Sequence, residues 1–562
     1  MLPIFRPRVA LRRGVSACTS TRPSSTQGFS NRRSTSTTLS ETVSLRAKNS
    51  TRACTAAAFI TSRSLIPIGR RYLDSTKAAG SITPAYTRSK HTTVSPAFAA
   101  QFRSFSAPSS VPKPPSAGDA EFLDSRAREV IHADENAHPS TAARLKQDAR
   151  YLLQLYGRPD VIFTHGKGCY LYDQAGRSFL DLAGGIAVNA LGHADKEITS
   201  VIADQAGKLI HLSNLYHNEY AGPFAKAIIE SLPKVSEGGL AQPGSKVFFC
   251  NSGTEANEAA LKFGRKFGRQ NLKAGEVHTK STIVSFTNAF HGRSMGSLSA
   301  TPSIKYQTPF MPLIPSFVHA PLNDIEKAKQ IIDDNVCAVI VEPVQGEGGI
   351  NLSSKEFLQV LRKRCDEVNA VLIFDEIQCG LGRTGSLFAY EQFDIAPDIL
   401  TMAKPLANGI PIGAVIVSPE VAKHIHPGDH GTTFGGSPFA TRVGHTVYNR
   451  INNPSFLAHV REMGEYLRRQ CEELASSSPL ISEVRGAGLM VGLQMRASVD
   501  PNLFVDMARE QGVLVISAGN NTVRLVPPLI ITKKEIDEAV RVFEDVITDM
   551  ESYIASGKDL KG

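Results

Sequence analysis

The sequence predicts an α/β protein with a mainly parallel sheet, followed by a smaller α+β lobe at the C-terminus. Five short apolar runs predict the strands, and helical stretches with Gly-rich turns separate them: KVFFC at 246–250, TIVSF at 282–286, CAVIVE at 337–342, AVLIFDE at 370–376 and IGAVIV at 412–417. Continuous β-branched runs are typical of strands buried on both faces, as in parallel sheets. We therefore expect one large α/β domain over residues 196–435.

Two further patterns flank this region. In the segment 119–195, a helical pattern runs to about residue 156, and alternating residues between turn pairs at 163–185 predict a small antiparallel meander. After about residue 435 the pattern changes to helices, short strands and a final amphipathic helix that ends near residue 555. We expect a separate small α+β domain over residues 436–562.

Residues 1–118 differ in composition from the rest of the chain. They are rich in Arg, Ser, Thr and Ala, and they contain eighteen Lys and Arg against two acidic residues, a net charge of +16. This composition is typical of a transit peptide, so it predicts a disordered basic transit segment and a location in the mitochondrial matrix. A disordered basic tail with another use is the alternative.

Charge and composition also exclude several classes of partner. The whole chain carries +9, which leaves −7 for residues 119–562, and a mildly acidic body argues against binding nucleic acid over a broad surface. We expect no membrane partner, because no stretch of the body reaches the roughly 18 apolar residues that a span requires. The eight cysteines lack a CxxC pair or ligand-like spacing, which predicts reduced thiols and no metal site.

One segment predicts a phosphate site. In FFCNSGTEANEAALKFGRKFGR a strand ends at Cys250 and a helix begins near Thr254. The hydroxyls of Ser252 and Thr254 and the neighbouring N–H groups therefore meet where the helix dipole is positive. The alternative is an ordinary capping box, in which one of these hydroxyls caps the helix opposite the residue three positions later. The segment by itself leaves both interpretations open.

Asp375 and Lys404 are candidates for catalysis. Asp375 ends the apolar strand in VLIFDEIQCGLGRTG, where an ionised carboxylate needs a cationic partner such as a protonated pyridine nitrogen. A magnesium ligand or a helix cap is the alternative, although the sequence contains no GxxxxGK[ST] motif. Lys404 follows an apolar run in PDILTMAKPLANGIPIGAVIV, and nonpolar surroundings lower the pKa of an amine and free it for imine formation. A solvated charge in a loop is the alternative interpretation of this lysine.

Together these segments resemble the class III aminotransferases of the type I pyridoxal-phosphate fold, over residues 140–555. Five motifs carry the resemblance in the family's order: NSGTEANEAA at 251, AFHGRSMGSLSAT at 289, FDEIQCGLGRTG at 374, TMAKPLANGIPIGA at 401 and HGTTFGGSPFA at 430. The resemblance implies pyridoxal 5'-phosphate as the cofactor and a homodimer with shared active sites. It also implies the large and small domains described above.

The resemblance assigns residues to the cofactor. The phosphate would be held by Ser252, Gly253, Thr254 and, from the neighbouring subunit, Thr433. Phe290 would stack on the pyridine ring, Asp375 would face the ring nitrogen, and Gln378 would hydrogen-bond the phenolic oxygen. Lys404 would be the Schiff-base lysine, and the freed amine would move a proton between substrate and cofactor. Lys404 and Asp375 are thus the expected catalytic residues.

Four more positions resemble the family's substrate contacts. Arg293 would grip a substrate carboxylate through the fixed fork of its guanidinium, with Thr432 assisting. Arg524 would take the α-carboxylate of glutamate or 2-oxoglutarate, and Glu347 would pair with Arg524 when that carboxylate is absent. A surface salt bridge is the alternative interpretation of either arginine.

Other segments resemble the acetylornithine aminotransferase subfamily: LAGGIAVNALGHAD at 182, HLSNLYHNEYAG at 211, VEPVQGEGGIN at 341 and VRLVPPLIIT at 523. This resemblance implies transfer of the terminal amino group of N2-acetylornithine to 2-oxoglutarate, which gives N-acetylglutamate 5-semialdehyde and glutamate, in arginine biosynthesis. Ornithine or another ω-amino acid is the alternative substrate. A non-catalytic cofactor-binding relative is the alternative of a different class, and the presence of Lys404 and Asp375 argues against it.

Overall fold

The computed structural model describes residues 138–235, 239–270 and 280–556, which belong to one compact unit, Pro114–Gly562. The predicted transit segment and residues 119–137 lie outside the described residues. In the three described ranges, no helix has both the length and the apolar character needed to cross a membrane.

The strands of the described ranges are numbered in chain order: β1 Phe163–Lys167, β2 Tyr170–Asp173, β3 Ser178–Asp181, β4 Lys246–Cys250, β5 Thr282–Phe286, β6 Phe317–Ala320, β7 Val336–Val341, β8 Val371–Asp375, β9 Ile399–Met402, β10 Gly413–Val417, β11 Ile481–Ala487, β12 Met490–Met495, β13 Val513–Leu514, β14 Ile516–Ala518 and β15 Thr522–Leu525.

The helices of the described ranges are α1 Pro139–Asp148, α2 Gly184–Ala187, α3 Lys196–Ala206, α4 Ala221–Glu230, α5 Gly253–Phe267, α6 Met295–Ser299, α7 Ile304–Gln307, α8 Ile325–Ile331, α9 Lys355–Val368, α10 Pro419–Ala422, α11 Pro438–Ile451, α12 Pro454–Ser477, α13 Pro501–Glu510 and α14 Lys533–Ala555. The same described ranges contain three 3₁₀ turns: Thr308–Phe310, Ala389–Gln392 and Lys404–Ala407.

The largest sheet has seven strands in the order β4-β10-β9-β8-β7-β5-β6. The strands from β9 to β6 pair in parallel, whereas β10 pairs antiparallel with both of its neighbours. The prediction of a mainly parallel α/β sheet is therefore confirmed. All residues of β7 and β8 are buried, since α5 and α9 pack against the sheet and cover these strands. The runs FVHA and ILTM also form strands, β6 and β9. These two strands were not predicted, because a run of four residues is too short to show a clear pattern.

The parallel order places several chain segments at one edge of the sheet. The carboxyl ends of parallel strands lie at the same edge, and ligands of open α/β sheets bind there. In this protein, Asp375 ends β8, Glu342 follows β7, and Lys404 lies two residues after β9. Helix α5 begins three residues after β4, which runs in the same direction. The catalytic candidates therefore meet because of strand order.

Two smaller sheets lie outside this layer. One is antiparallel, in the order β11-β12-β15-β14, and the other has the order β1-β2-β3-β13. In the second, β1 to β3 are antiparallel, and Leu180 of β3 pairs in parallel with Val513 of β13. Helix α12 packs on β11 and β12, whereas α11 packs on α3, α4 and the turn at Lys404–Ala407. The domain boundaries at residues 195 and 435 stay predictions.

Candidate active site

A cavity of about 420 Å³ lies at the carboxyl edge of the large sheet. It contains candidates from four of the five family-like motifs. The lining residues are Val188, Asn251, Ser252, Gly253, Thr254, Phe290, His291, Gly292, Arg293, Glu342, Asp375, Ile377, Gln378, Ala403, Lys404, Gly409, Ile410, Pro411 and Ile412. Thr433 is exposed and does not line it.

The Asp375 carboxylate is held by three hydrogen bonds and is only 3% exposed. Its Oδ2 accepts from Asn257 Nδ2 at 2.7 Å and from His291 Nδ1 at 2.8 Å, and its Oδ1 accepts from the Ile377 N–H at 3.0 Å. An ionised carboxylate only accepts hydrogen bonds, so His291 carries its proton on Nδ1. These donors stabilise the negative charge of Asp375 and fix its position at the wall of the cavity. A carboxylate held in this way can pair with a cationic ring nitrogen.

The first turn of α5 offers unused donors. The Ser252 hydroxyl accepts from the Glu255 N–H at 3.2 Å. Ser252 therefore caps the helix, as the capping alternative predicted. The N–H groups of Gly253 and Thr254 donate to no residue that the structure describes. Free N–H groups at the positive end of a helix dipole form an anion site. The cap and the phosphate site are therefore compatible, because they use different donors.

Lys404 lies in the same cavity, at the start of a 3₁₀ turn, with a left-handed backbone φ of 30°. Positive φ at a residue other than glycine is a strained conformation that is frequent at functional sites. Burial, followed by the positive charge of Arg524, lowers the pKa of the Lys404 amine to about 8. Nearby carboxylates, of which Glu342 is the strongest, oppose this shift. Near neutral pH a larger fraction of this amine is unprotonated than for an ordinary lysine.

The lowered pKa of Lys404 predicts a pH dependence. Only the neutral amine attacks an aldehyde, so the rate of covalent binding should rise with pH and reach half its maximum near pH 8, against an ordinary lysine pKa of 10.5. The measurement is the rate at which cofactor-free protein takes up pyridoxal phosphate at a series of pH values. Borohydride reduction and mass spectrometry of the peptide containing Lys404 report the product. A rate that rises only above about pH 10 would contradict the assignment.

Glu342 is a second buried carboxylate at the wall. It is 4% exposed, and its oxygens accept from the N–H groups of Phe290 at 2.9 Å and Gly346 at 3.1 Å. Burial raises the pKa of this carboxyl to about 7, against the opposing charge of His291. Glu342 thereby holds the backbone of Phe290, whose ring lines the cavity.

The structure brings Arg524, Glu347 and Gln378 together. Arg524 is 2% exposed; its Nη2 bonds Glu347 Oε2 at 3.0 Å, and its Nη1 donates to Gln378 Oε1 at 3.0 Å. Burial lowers the pKa of Arg524, and the charge of Glu347 acts in the opposite direction. Because the Gln378 carbonyl accepts from Arg524, its amide nitrogen remains available to donate into the cavity.

Arg293 lies close to two aromatic rings, those of Tyr306 and Phe290. Its guanidinium carbon stands 4.0 Å from the centroid of the Tyr306 ring, close enough for a cation–π contact, and 5.9 Å from that of Phe290. Tyr306 in turn donates from its hydroxyl to Glu347 Oε1 at 3.5 Å. Within the described ranges, Arg293 forms no ion pair with a carboxylate. Its charge is therefore available to an anionic ligand.

The threonines of HGTTF contribute less to this cavity. The Thr432 hydroxyl accepts from Asn251 Nδ2 at 3.0 Å, and Asn251 lines the cavity whereas Thr432 does not. The exposed Thr433 meets none of the other candidates within one chain. The structure therefore gathers the phosphate, ring, lysine and arginine candidates, but not these two threonines.

Sequence reasoning did not assign His291, Asn257, Glu342 or Tyr306. Two signals were present in the sequence. Glu342 ends the run CAVIVE in the same way as Asp375 ends VLIFD. A carboxylate at the end of a predicted buried strand was therefore a signal for both residues. His291 lies in AFHGR between two residues that were assigned. No comparable signal pointed to Asn257 or Tyr306, because their partners are distant in sequence.

Comparison with known proteins decides the family. The family model "Aminotransferase class-III" matches residues 155–547. The chain belongs to the class III aminotransferases. Two similar relatives are mitochondrial acetylornithine aminotransferases: that of Neurospora crassa is 46% identical over 75% of this chain and 90% of the relative, and that of Yarrowia lipolytica is 49% identical over 72% and 96%.

This class III aminotransferase also has relatives of solved structure. The ornithine aminotransferase of Toxoplasma gondii matches with a TM-score of 0.67 and 28% identity, over 75% of this chain and 96% of that one. That structure shows partial occupancy of PLP at the active site of the Toxoplasma protein. The family and the aminotransferase activity predicted from the motifs are thus confirmed.

Proposed function

We propose that this class III aminotransferase uses pyridoxal 5'-phosphate to move the terminal amino group of N2-acetylornithine to 2-oxoglutarate, in arginine biosynthesis. The observation that carries the proposal is the meeting of the Lys404 amine, the Asp375 carboxylate and the free N–H groups of α5 in one cavity. The names of relatives at 46% and 49% identity support the substrate.

The residues present fit the cofactor. The unused N–H groups of Gly253 and Thr254 suit its phosphate, and the charge of Asp375 suits its ring nitrogen. Gly292 leaves room beside Thr254, because a Cβ at Gly292 would lie 2.3 Å from the Thr254 hydroxyl oxygen. Phe290 would lie against the ring, and Gln378 would donate to its phenolic oxygen. When bound, the cofactor supplies an aldehyde that accepts amino groups and a ring that withdraws electrons.

The chain's own groups then divide the work of catalysis. Lys404 would hold the cofactor covalently, and its amine, once freed by the substrate amine, would take a proton from the substrate carbon and deliver it to the cofactor. A lysine pKa of about 8 suits this base, since its neutral form is well populated close to physiological pH. Asp375 would keep the ring nitrogen of the bound cofactor protonated, and His291 and Asn257 hold that carboxylate in place.

Two arginines serve two carboxylated substrates. Arg293 binds the carboxylate of acetylornithine. Arg524 binds the α-carboxylate of glutamate or 2-oxoglutarate, for which Glu347 must release it from the 3.0 Å ion pair. In the acetylornithine half of the cycle this ion pair neutralises Arg524, so one cavity accepts two differently charged substrates.

We also propose a homodimer in which Thr433 completes the phosphate site of the partner. The support is its exposure beside an apolar surface: Leu215, Tyr216 and Phe434 are 87%, 68% and 65% exposed. Asn214 donates to the Thr432 carbonyl, which joins the two exposed segments. Relatives named mitochondrial and the basic composition of residues 1–118 support a mitochondrial matrix location.

The proposed substrate is tested by a direct comparison of amines. Purified protein with bound cofactor receives acetylornithine or ornithine at equal concentration with 2-oxoglutarate, and glutamate formation is measured. We expect kcat/KM for acetylornithine to exceed that for ornithine by about tenfold or more. A preference for ornithine would instead identify an ornithine aminotransferase. No turnover of either amine would overturn the proposed function.

A further inference from the structure

A second cavity adjoins the first one. This outer cavity has a volume of about 370 Å³ and shares Phe290 with the cofactor cavity. Its lining includes the first residues of α7, the loop before that helix, and strand β14. The lining also includes uncharged polar side chains, among them Asn288, Ser303 and Ser517.

Two charged side chains line the outer cavity, Lys305 and Glu347. Glu347 is already paired with Arg524. Lys305, in contrast, forms no ion pair with any carboxylate in the described ranges; its Nζ lies 6.0 Å from the centroid of the Tyr306 ring. That ring also carries the Arg293 guanidinium at 4.0 Å. Arg293 and Lys305 therefore place two positive charges beside Tyr306 that form no ion pair in the described ranges, since the carboxylate next to Tyr306, that of Glu347, is paired with Arg524.

The connectivity of an α-amino acid links this charge to specificity. If Arg293 binds the α-carboxylate, the α-nitrogen is attached to the adjacent carbon and must lie near Tyr306 and the outer cavity. A free α-amino group near neutral pH is an ammonium, which adds a third positive charge beside Arg293 and Lys305. An acylated α-nitrogen is neutral and escapes this repulsion. Its amide also matches the polar lining of the outer cavity.

We propose that the outer cavity is the subsite for an acylated α-amino group, and that Lys305 is a specificity-determining residue that disfavours a free α-ammonium. The inference rests on the proposed function, because it uses Arg293 as the carboxylate ligand. In this proposal the charge of Lys305 discriminates between the two amines. Substitution of Lys305 should therefore change the ratio of kcat/KM for acetylornithine to kcat/KM for ornithine. The change should come mainly from the value for ornithine.

The test compares charge variants at one position. We expect K305Q to lower the ratio about fivefold and K305E about 25-fold, because reversing a charge has twice the effect of removing it. K305R retains the charge and should retain the wild-type ratio. The matched control is K327Q, since Lys327 is an exposed lysine at the start of α8 that hydrogen-bonds Gln330. In the wild-type protein, added salt should reduce the discrimination through screening.

The outcomes separate this inference from the proposed function. A graded fall of the ratio from K305R through K305Q to K305E supports the charge filter. A ratio that is equal in wild type, K305Q and K305E, with both amines still turned over, overturns the role of Lys305 and leaves the proposed function standing. A wild-type protein that turns over neither amine overturns the proposed function, and this inference falls with it.

Discussion

Replacement of Lys404 by alanine is expected to remove the covalent link to the cofactor and to lower kcat by about 10⁴-fold, the upper range for a single acid–base group. Among the residues lining the cavity, Lys404 alone provides an amine, and its pKa of about 8 makes that amine both a nucleophile and a base. The fold should survive, because the change removes a desolvated amine and breaks none of the hydrogen bonds described above.

The measurement for K404A is borohydride reduction followed by mass spectrometry, together with single-turnover rates. Wild-type protein should retain the cofactor mass on the peptide containing Lys404, and the variant should show no such adduct. K423A is the matched control: Lys423 has a 63% exposed side chain and pairs with Glu420 at the surface, so its loss should change neither readout. Cofactor found covalently attached elsewhere in an active K404A protein would refute the assignment.

The substitution D375N should have the second-largest effect, a fall in kcat of about 10²- to 10³-fold. Asparagine keeps the shape but removes the negative charge that faces the ring nitrogen. It also replaces one acceptor by a donor. If its oxygen keeps the bonds from His291 and Asn257, its NH₂ group opposes the Ile377 N–H. The ring nitrogen then loses its proton, and the ring withdraws electrons less well.

The D375N protein should still attach the cofactor to Lys404. This result would distinguish weaker electron withdrawal by the ring from a loss of cofactor binding. The same reduction and mass spectrometry report attachment. A cofactor analogue methylated on the ring nitrogen carries a permanent positive charge, so it should restore part of the lost rate in D375N and none in K404A. Wild-type rates in D375N would show that this carboxylate does not act on the ring.

Local pattern was sufficient for some parts of the site and not for others. Asp375 was identified because it ends a buried apolar strand, where an ionisable side chain is costly unless it has a function, whereas Lys404 was identified through the family motifs that accompany it. The capping alternative at Ser252 was also predicted, and the structure shows it together with free N–H groups at Gly253 and Thr254. The threonines of HGTTF were predicted from family resemblance alone, and within one chain they remain outside the cavity.

The sequence by itself determined the strand runs of the parallel sheet, the helix start at α5 and the two catalytic candidates, because these depend on periodicity and on the chemistry of neighbouring residues. Tertiary structure alone decided that Asn257 reaches Asp375 across 118 positions and that Arg293 rests on Tyr306. Strand order determines the first of these contacts, whereas the second depends on how the segment between β5 and β6 folds. Because strands distant in the chain become neighbours in the sheet, no local pattern specifies which side chains meet at its carboxyl edge.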